Sequence, residues 1–291
     1  MASTPAYPFT PGEAGLSDAW VARVAAATRE HGRDVAQLDG AFLARCLDRR
    51  REVTATPTLE AYVARLERDG IEAEAFFSSL DIHHSELFRA PLLFALLEER
   101  ILPGLARRAE STGGSEIRVW SAGCAAGQEA YSVAILLAEL AEASATPIRF
   151  RVIATDTSMA QVELARAGSY SELSMRNVRL CHLRRWFETG GSGWTVTAGL
   201  RALVDFSVHD LLDPRSASPP ASIFGWFDLV LCSNVLYYYR PDVQHRILDR
   251  LRASLSVDGI LATGEAEREP VLESGGFQAM AHRVPLFARR R

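Results

Sequence analysis

The 291-residue chain has only four cysteines, Cys46, Cys124, Cys181 and Cys232, far apart and without a CxxC pair. That spacing suggests neither a zinc site nor a disulfide framework, so no metal is expected and reduced thiols in a cytoplasm are the simplest reading. Positive charge is not in excess. Against 36 Asp+Glu stand 32 Lys+Arg, for a net charge of -4, which argues against a nucleic-acid partner held by bulk charge while leaving room for a local basic patch. No apolar run approaches the roughly 18 residues of a membrane span. The opening "MASTPAYPFTPGEAG" lacks the basic start and apolar run of a secretion signal. A cytoplasmic protein without membrane insertion is expected. Also missing are the full GxGxxG pattern and the GK[ST] ending of a phosphate-binding loop, which disfavours nucleotides carrying pyrophosphate.

What is present is enough apolar material, 48% of the residues, for one large core and a smaller accessory unit. From Asp18 to about Phe77 apolar residues recur at helical spacing, as in Phe42, Leu43, Leu47 and then Leu59, Tyr62, Val63, Leu66, with no strand-like runs. A small helical domain is predicted, followed by a further helix through "PLLFALLEERILPGLARRAE" that starts at Pro91. The pattern then alternates. Apolar, β-branched runs at "IRVWSA", "FRVIATD", "LVDFSVHD", "FDLVLCSN" and "GILATGE" are separated mostly by helical stretches. Such alternation predicts an α/β fold, a doubly wound, mostly parallel sheet with helices on both faces. Ligands bind these sheets at the C-terminal strand ends, where strand order reverses.

The strand ends carry the chemistry. After "IRVWSA" the chain runs through Gly123 and Gly127 into a helix beginning near Gln128. Small residues there fit either a tight strand-to-helix turn packed for its own sake or a close backbone approach to a ligand. "VIATD" ends in Asp156, whose carboxylate can accept from both ribose hydroxyls or can cap the helix that follows. Glycine loop, strand-end acid and absent phosphate signature together favour S-adenosylmethionine over NAD. Cys232, Ser233 and Asn234 are expected to line the opposite wall.

The segments "RVWSAGCAAGQEAYSVAILLAE", "VIATDTSMAQVELARAGSYSE" and "FDLVLCSNVLYYYRPDVQHRIL" resemble, in order and spacing, the chemotaxis receptor methyltransferases of the CheR type. The upstream "ELFRAPLLFALLEERILPGL" resembles that family's entry segment, and the similarity runs from about Leu38 to "HRVPLFARR". The resemblance implies an N-terminal helical domain, here 1–85, and a Rossmann-like class I methyltransferase domain, here 86–291, with a small antiparallel β insert at about 180–203. It implies transfer of a methyl group from S-adenosylmethionine, leaving S-adenosylhomocysteine, to glutamate side chains of chemoreceptors.

Residue roles follow from the resemblance. Arg89 sits at the family's cofactor and substrate junction, where a planar guanidinium can orient a carboxylate. Tyr238 matches a tyrosine at the reaction centre. Glu129 matches a cofactor-contacting acid, although a helix N-terminus would favour a carboxylate there in any case. Asp210 and Leu211 match a pair beside the adenine. His83 and Ser85 stand where the family usually has asparagine and threonine, and "CSN" where it has "CRN". Arg45, Arg49, Arg50 and Arg51 match a basic helix that docks on an acidic receptor bundle, or else form a solvated helix face. Two other readings stay open. One is the same fold acting on a different acceptor, a small molecule or another protein, suggested by His83 and Ser233. The other is a non-catalytic, cofactor-binding signalling module.

Overall fold

The computed structural model describes residues 15–80, 85–113, 116–190, 193–216, 218–222 and 226–290. The chain divides into two compact units, Met1–Ile82 with Tyr237–Val243, and His83–Leu236 with Gln244–Arg291. The return of 237–243 to the first unit has no signal in the sequence.

The first unit is built from α1 (Asp18–Arg29), α2 (Gly40–Val53), α3 (Leu59–Leu66) and α4 (Gly70–Leu80). Its helix starts are written locally. Asp39 caps α2 by accepting from the Ala41 and Phe42 N–H groups at 3.0 and 2.9 Å, and Thr58 caps α3 from Ala61 N at 3.1 Å. The apolar faces read from the sequence meet in one core containing Phe42, Leu43, Leu47, Tyr62, Val63 and Leu66. The return segment adds an antiparallel bridge between Leu38 and Tyr239, and the Tyr238 ring lies 4.9 Å from that of Phe42. Inside this unit Glu72, 5% exposed, receives Arg50 through Nε and NH2 at 2.9 and 2.8 Å and the Tyr62 hydroxyl at 2.6 Å. Arg51 turns to Asp48 and to the Pro57 carbonyl, both at 2.8 Å. Of the four arginines read as one basic face, Arg50 is engaged in a buried ion pair and Arg51 in local contacts. Arg49 is exposed and Arg45 half-buried.

The second unit opens with α5 (Pro91–Leu96) and α6 (Leu102–Ser111), separated by a π-helical turn at Leu97–Ile101. One continuous helix was the expectation. Pro103 has no N–H to donate and its ring crowds the carbonyl four residues earlier, so the turn before it widens. Then follow β1 (Ile117–Ala122), α7 (Gln128–Ala143), β2 (Phe150–Asp156), α8 (Met159–Ala167), β3 (Ser169–Tyr170), α9 (Leu180–Trp186), β4 (Phe187–Gly190), β5 (Gly193–Val196), α10 (Ala198–Arg201) and β6 (Val204–Val208). The chain closes with β7 (Phe227–Cys232), α11 (Pro241–Ser254), β8 (Leu255–Thr263), α12 (Arg268–Glu273), β9 (Phe277–Ala279) and β10 (Leu286–Arg289).

Seven strands form one sheet in the order β6-β2-β1-β7-β8-β10-β9. The first five are parallel, and β10 runs antiparallel to both β8 and β9. Strand order reverses between β1 and β7, which are paired through Val119↔Leu229 and Ser121↔Leu231. Beyond their C-terminal ends lies the crevice that the topology makes available for a ligand. A second, antiparallel sheet has the order β3-β5-β4, and α9 lies between β3 and β4 in the chain. Glu139 of α7 holds α9 by accepting from Trp186 Nε1 at 3.1 Å and pairing with His182 Nε2 at 3.2 Å.

Candidate cofactor site

The loop between β1 and α7 passes through the left-handed region three times, at Gly123 (φ 73°), Ala125 (φ 46°) and Gly127 (φ 88°). Glycine adopts this conformation freely and alanine does not, so the loop is held from outside. The Gly123 and Cys124 N–H groups both donate to the Thr155 carbonyl, at 2.8 and 2.9 Å. Ala125 N donates to Asp156 Oδ2 at 2.9 Å, and the Tyr170 hydroxyl donates to the Ala126 carbonyl at 2.7 Å. Space is equally restricted. A Cβ at Gly123 would lie 2.5 Å from Val235 Cγ2, and one at Gly127 would lie 3.0 Å from Ala165 Cβ.

Asp156 thus faces the glycine loop. Its other oxygen accepts from Ser158 N at 2.9 Å. Ser158, not Asp156, caps α8, so the alternative of a simple helix cap is set aside. A carboxylate has about four acceptor positions, and two of the donors that reach this one are the Ala125 and Ser158 N–H groups.

Across the crevice the end of β7 supplies Ser233 and Asn234, both half-buried. Cys232 is fully buried, and burial drives its thiol pKa well up. Asn234 sits in the left-handed region at φ 63°. Beneath this turn lies Glu267, which the sequence reading missed. It is 1% exposed and accepts four backbone N–H groups, from Asn234 (2.9 Å) and Gly264 (2.7 Å) on Oε2 and from Val235 and Leu236 (both 2.7 Å) on Oε1. Burial raises its pKa above the usual carboxylate value, against the four donors, which act to lower it.

Glu129 occupies the floor. Ser121 Oγ donates to it at 2.9 Å, and a hydrogen bond from Ser233 ties it to the far wall. Although it keeps a partly exposed edge, its carboxyl is enclosed, and desolvation is the first cause of a pKa pushed up to about 7. Ser233, Ser121 and the positive charge of Arg89 oppose that rise, while Glu267 adds to it. The Arg89 guanidinium therefore acts on the same carboxyl. Its own backbone is fixed from behind. Phe88 takes φ 53°, donates its N–H to Ser132 Oγ at 2.9 Å and stacks its ring on His182 at 5.1 Å, so Arg89 is left exposed.

Asp210 is exposed and closes its own turn by accepting from Leu212 N at 2.8 Å, while Leu211 is buried. Ser85 is half-buried, and His83 lies outside the described residues. Tyr238 belongs to the first unit, where its hydroxyl meets that of Tyr237 at 2.9 Å. Among the described residues no cluster of His, Cys, Asp and Glu could hold a metal ion, and no helix is long and apolar enough to cross a membrane.

The family described as "CheR methyltransferase, SAM binding domain" matches residues 83–283. A chemotaxis protein methyltransferase 1 from Pseudomonas aeruginosa is 31% identical over 227 residues, covering 76% of this chain and 79% of that one. An uncharacterized 104.1 kDa protein from Rhodobacter capsulatus is 34% identical over 223 residues. The match covers 77% of this chain and 22% of that much longer protein. Among solved structures, a magnesium protoporphyrin IX methyltransferase from Synechocystis with bound SAH aligns at 17% identity and a TM-score of 0.33, over 67% of this chain and 84% of that one.

Proposed function

Because the chain belongs to the CheR methyltransferase family, we propose that it transfers a methyl group from S-adenosylmethionine to glutamate carboxylates of chemoreceptor-type proteins in the cytoplasm. One observation carries the reading: the Asp156 carboxylate grips the left-handed Ala125 N–H at the switch point, with Glu129 and Arg89 acting on the same crevice.

The residues present fit the cofactor. Asp156 faces the loop as an acceptor suited to ribose hydroxyls, Gly123 lets the loop pack directly on Val235 where a Cβ would clash, and Glu129, once ionised, offers a negative group suited to an ammonium. When bound, S-adenosylmethionine supplies the methyl group and the sulfonium charge. The acceptor needs no base, because a glutamate with a reference pKa of about 4.3 is already ionised near neutral pH. The protein's task is alignment, which at best is worth roughly 7–11 kcal/mol. Arg89 is exposed at the crevice and its planar fork orients the incoming carboxylate. Exposed Arg49 on α2 is the arginine best placed to meet an acidic receptor helix, since Arg50 is occupied by Glu72.

The test is transfer of labelled methyl groups to an acidic receptor fragment, read as base-labile ester. Wild type yields the ester. Arg89→Ala lowers kcat by about 100-fold or more while S-adenosylhomocysteine still binds. Cofactor binding without transfer to any receptor fragment would overturn the acceptor assignment, and an Arg89→Ala variant as fast as wild type would overturn the role of Arg89.

A further inference from the structure

Glu267 is a buried carboxylate, 1% exposed, that closes a capping box on Gly264 at the start of its own helical turn and reaches beyond it to the turn after β7. Both oxygens are saturated by N–H groups, three of them consecutive along the chain, from Asn234 to Leu236. Three successive N–H groups converge on one anion only when the backbone curls around it, and the left-handed φ of Asn234 provides that curl. The same turn carries Val235, whose Cγ2 occupies the place a Gly123 Cβ would need. Ser233, immediately before it, is bonded to Glu129. One anion beneath the β7 turn therefore fixes a residue against the glycine loop and a residue against the floor acid, so both walls of the crevice are set from a single point. Gly264 closes the arrangement. Its N–H binds the same Oε2 at 2.7 Å, and a Cβ there would meet Asn234 Nδ2 at 2.9 Å.

We propose that Glu267 is a positioning residue for S-adenosylmethionine, an internal anion that locks the Ser233–Leu236 turn and, through Val235, the Gly123 loop in the binding form before the cofactor arrives. The inference rests on the reading of this crevice as the cofactor site. Glu267→Gln keeps the size and removes the charge. In either orientation of the amide, two of the four N–H groups then face an NH2 instead of an oxygen.

The experiment combines calorimetry with S-adenosylhomocysteine, steady-state kinetics and amide hydrogen exchange on the whole chain. In E267Q the Kd for S-adenosylhomocysteine and the KM for S-adenosylmethionine rise by about tenfold or more, the KM for receptor fragment is unchanged, and the amides of residues 234–236 and 264 lose protection. Glu72→Gln, which breaks a buried carboxylate site in the first unit, lowers the melting temperature and leaves the Kd unchanged. That control separates positioning from general loss of stability. Wild-type binding together with an unaltered Kd in folded E267Q overturns the inference alone. Absence of wild-type binding removes the cofactor reading, and the inference with it. Should E267Q fail to fold, the wild-type protein decides. Without ligand its 234–236 amides are protected like those of the β7 strand, and exchange at open-loop rates would overturn the proposal.

Discussion

An alanine at position 123 would have to place its methyl carbon 2.5 Å from Val235 Cγ2 and hold φ near 73°. The left-handed conformation costs an L-residue about 1–2 kcal/mol. The overlap adds a packing term, since two methyl carbons normally rest about 3.5–4.0 Å apart. Val235 cannot simply retreat, because its own N–H and those on either side are bound to Glu267. Forcing an extra methyl group into such a site costs about 1–3 kcal/mol, so Gly123→Ala should lose about 2–5 kcal/mol in total, a large share of the roughly 5–15 kcal/mol that hold a domain together. The two contributions can be separated. Val235→Ala removes the obstructing methyl groups and leaves the backbone term, so the double variant should recover about 1–3 kcal/mol relative to the sum of the single losses. Denaturant unfolding of wild type, both single variants and the double variant measures this coupling. Losses that add to within about 0.5 kcal/mol would refute the claim that the two strand ends touch here.

Glu129 predicts a pH dependence with two opposite signs. Its carboxyl, raised from 4.5 to about 7 in the fold, stabilises the folded protein below the ordinary carboxylate range and loses that contribution as pH rises through about 7. An ammonium ligand favours the ionised form, so S-adenosylhomocysteine should bind more tightly from pH 6 to pH 8. Calorimetry on Glu129→Gln should show a flat profile, and a wild-type profile that is already flat would refute the assignment. In the first unit, Arg50→Ala leaves Glu72, 5% exposed, with the Tyr62 hydroxyl and without its cation. A loss of about 3 kcal/mol is expected, read by thermal unfolding, with no change in S-adenosylhomocysteine affinity.

Much of this was legible in the chain because the signals are local. Every strand of the parallel part announces itself as an apolar, β-branched run, and the glycines at 123 and 127 mark two of the three left-handed residues in the loop. The third, Ala125, gives no sign, since its conformation is stabilised by an acid 31 positions away. Glu267 is hidden for the same reason. In "GEAEREP" it stands among acids that read as a solvated helix start, and three of the four N–H groups it serves are 31 to 33 residues distant. Arg50 looks identical to Arg49 in a run of arginines, and only Glu72, 22 residues on, distinguishes them. Pro103 was visible, yet the strong apolar repeat around it suggested an uninterrupted helix. Periodicity reports what a residue faces on average; it is silent about which distant backbone group a single side chain will serve.

The return of Tyr237–Val243 to the first unit has a practical consequence for dissecting the molecule. No single cut liberates the helical part whole. A fragment ending at 82 would lose the ring that covers Phe42 and would leave the Asp39 N–H and the Gln37 carbonyl without the strand that pairs them. Anyone wishing to study those helices alone must graft the 237–243 segment back on, for instance by a short linker from residue 82. The fragment so joined, rather than the simple truncation, is the one expected to melt cooperatively.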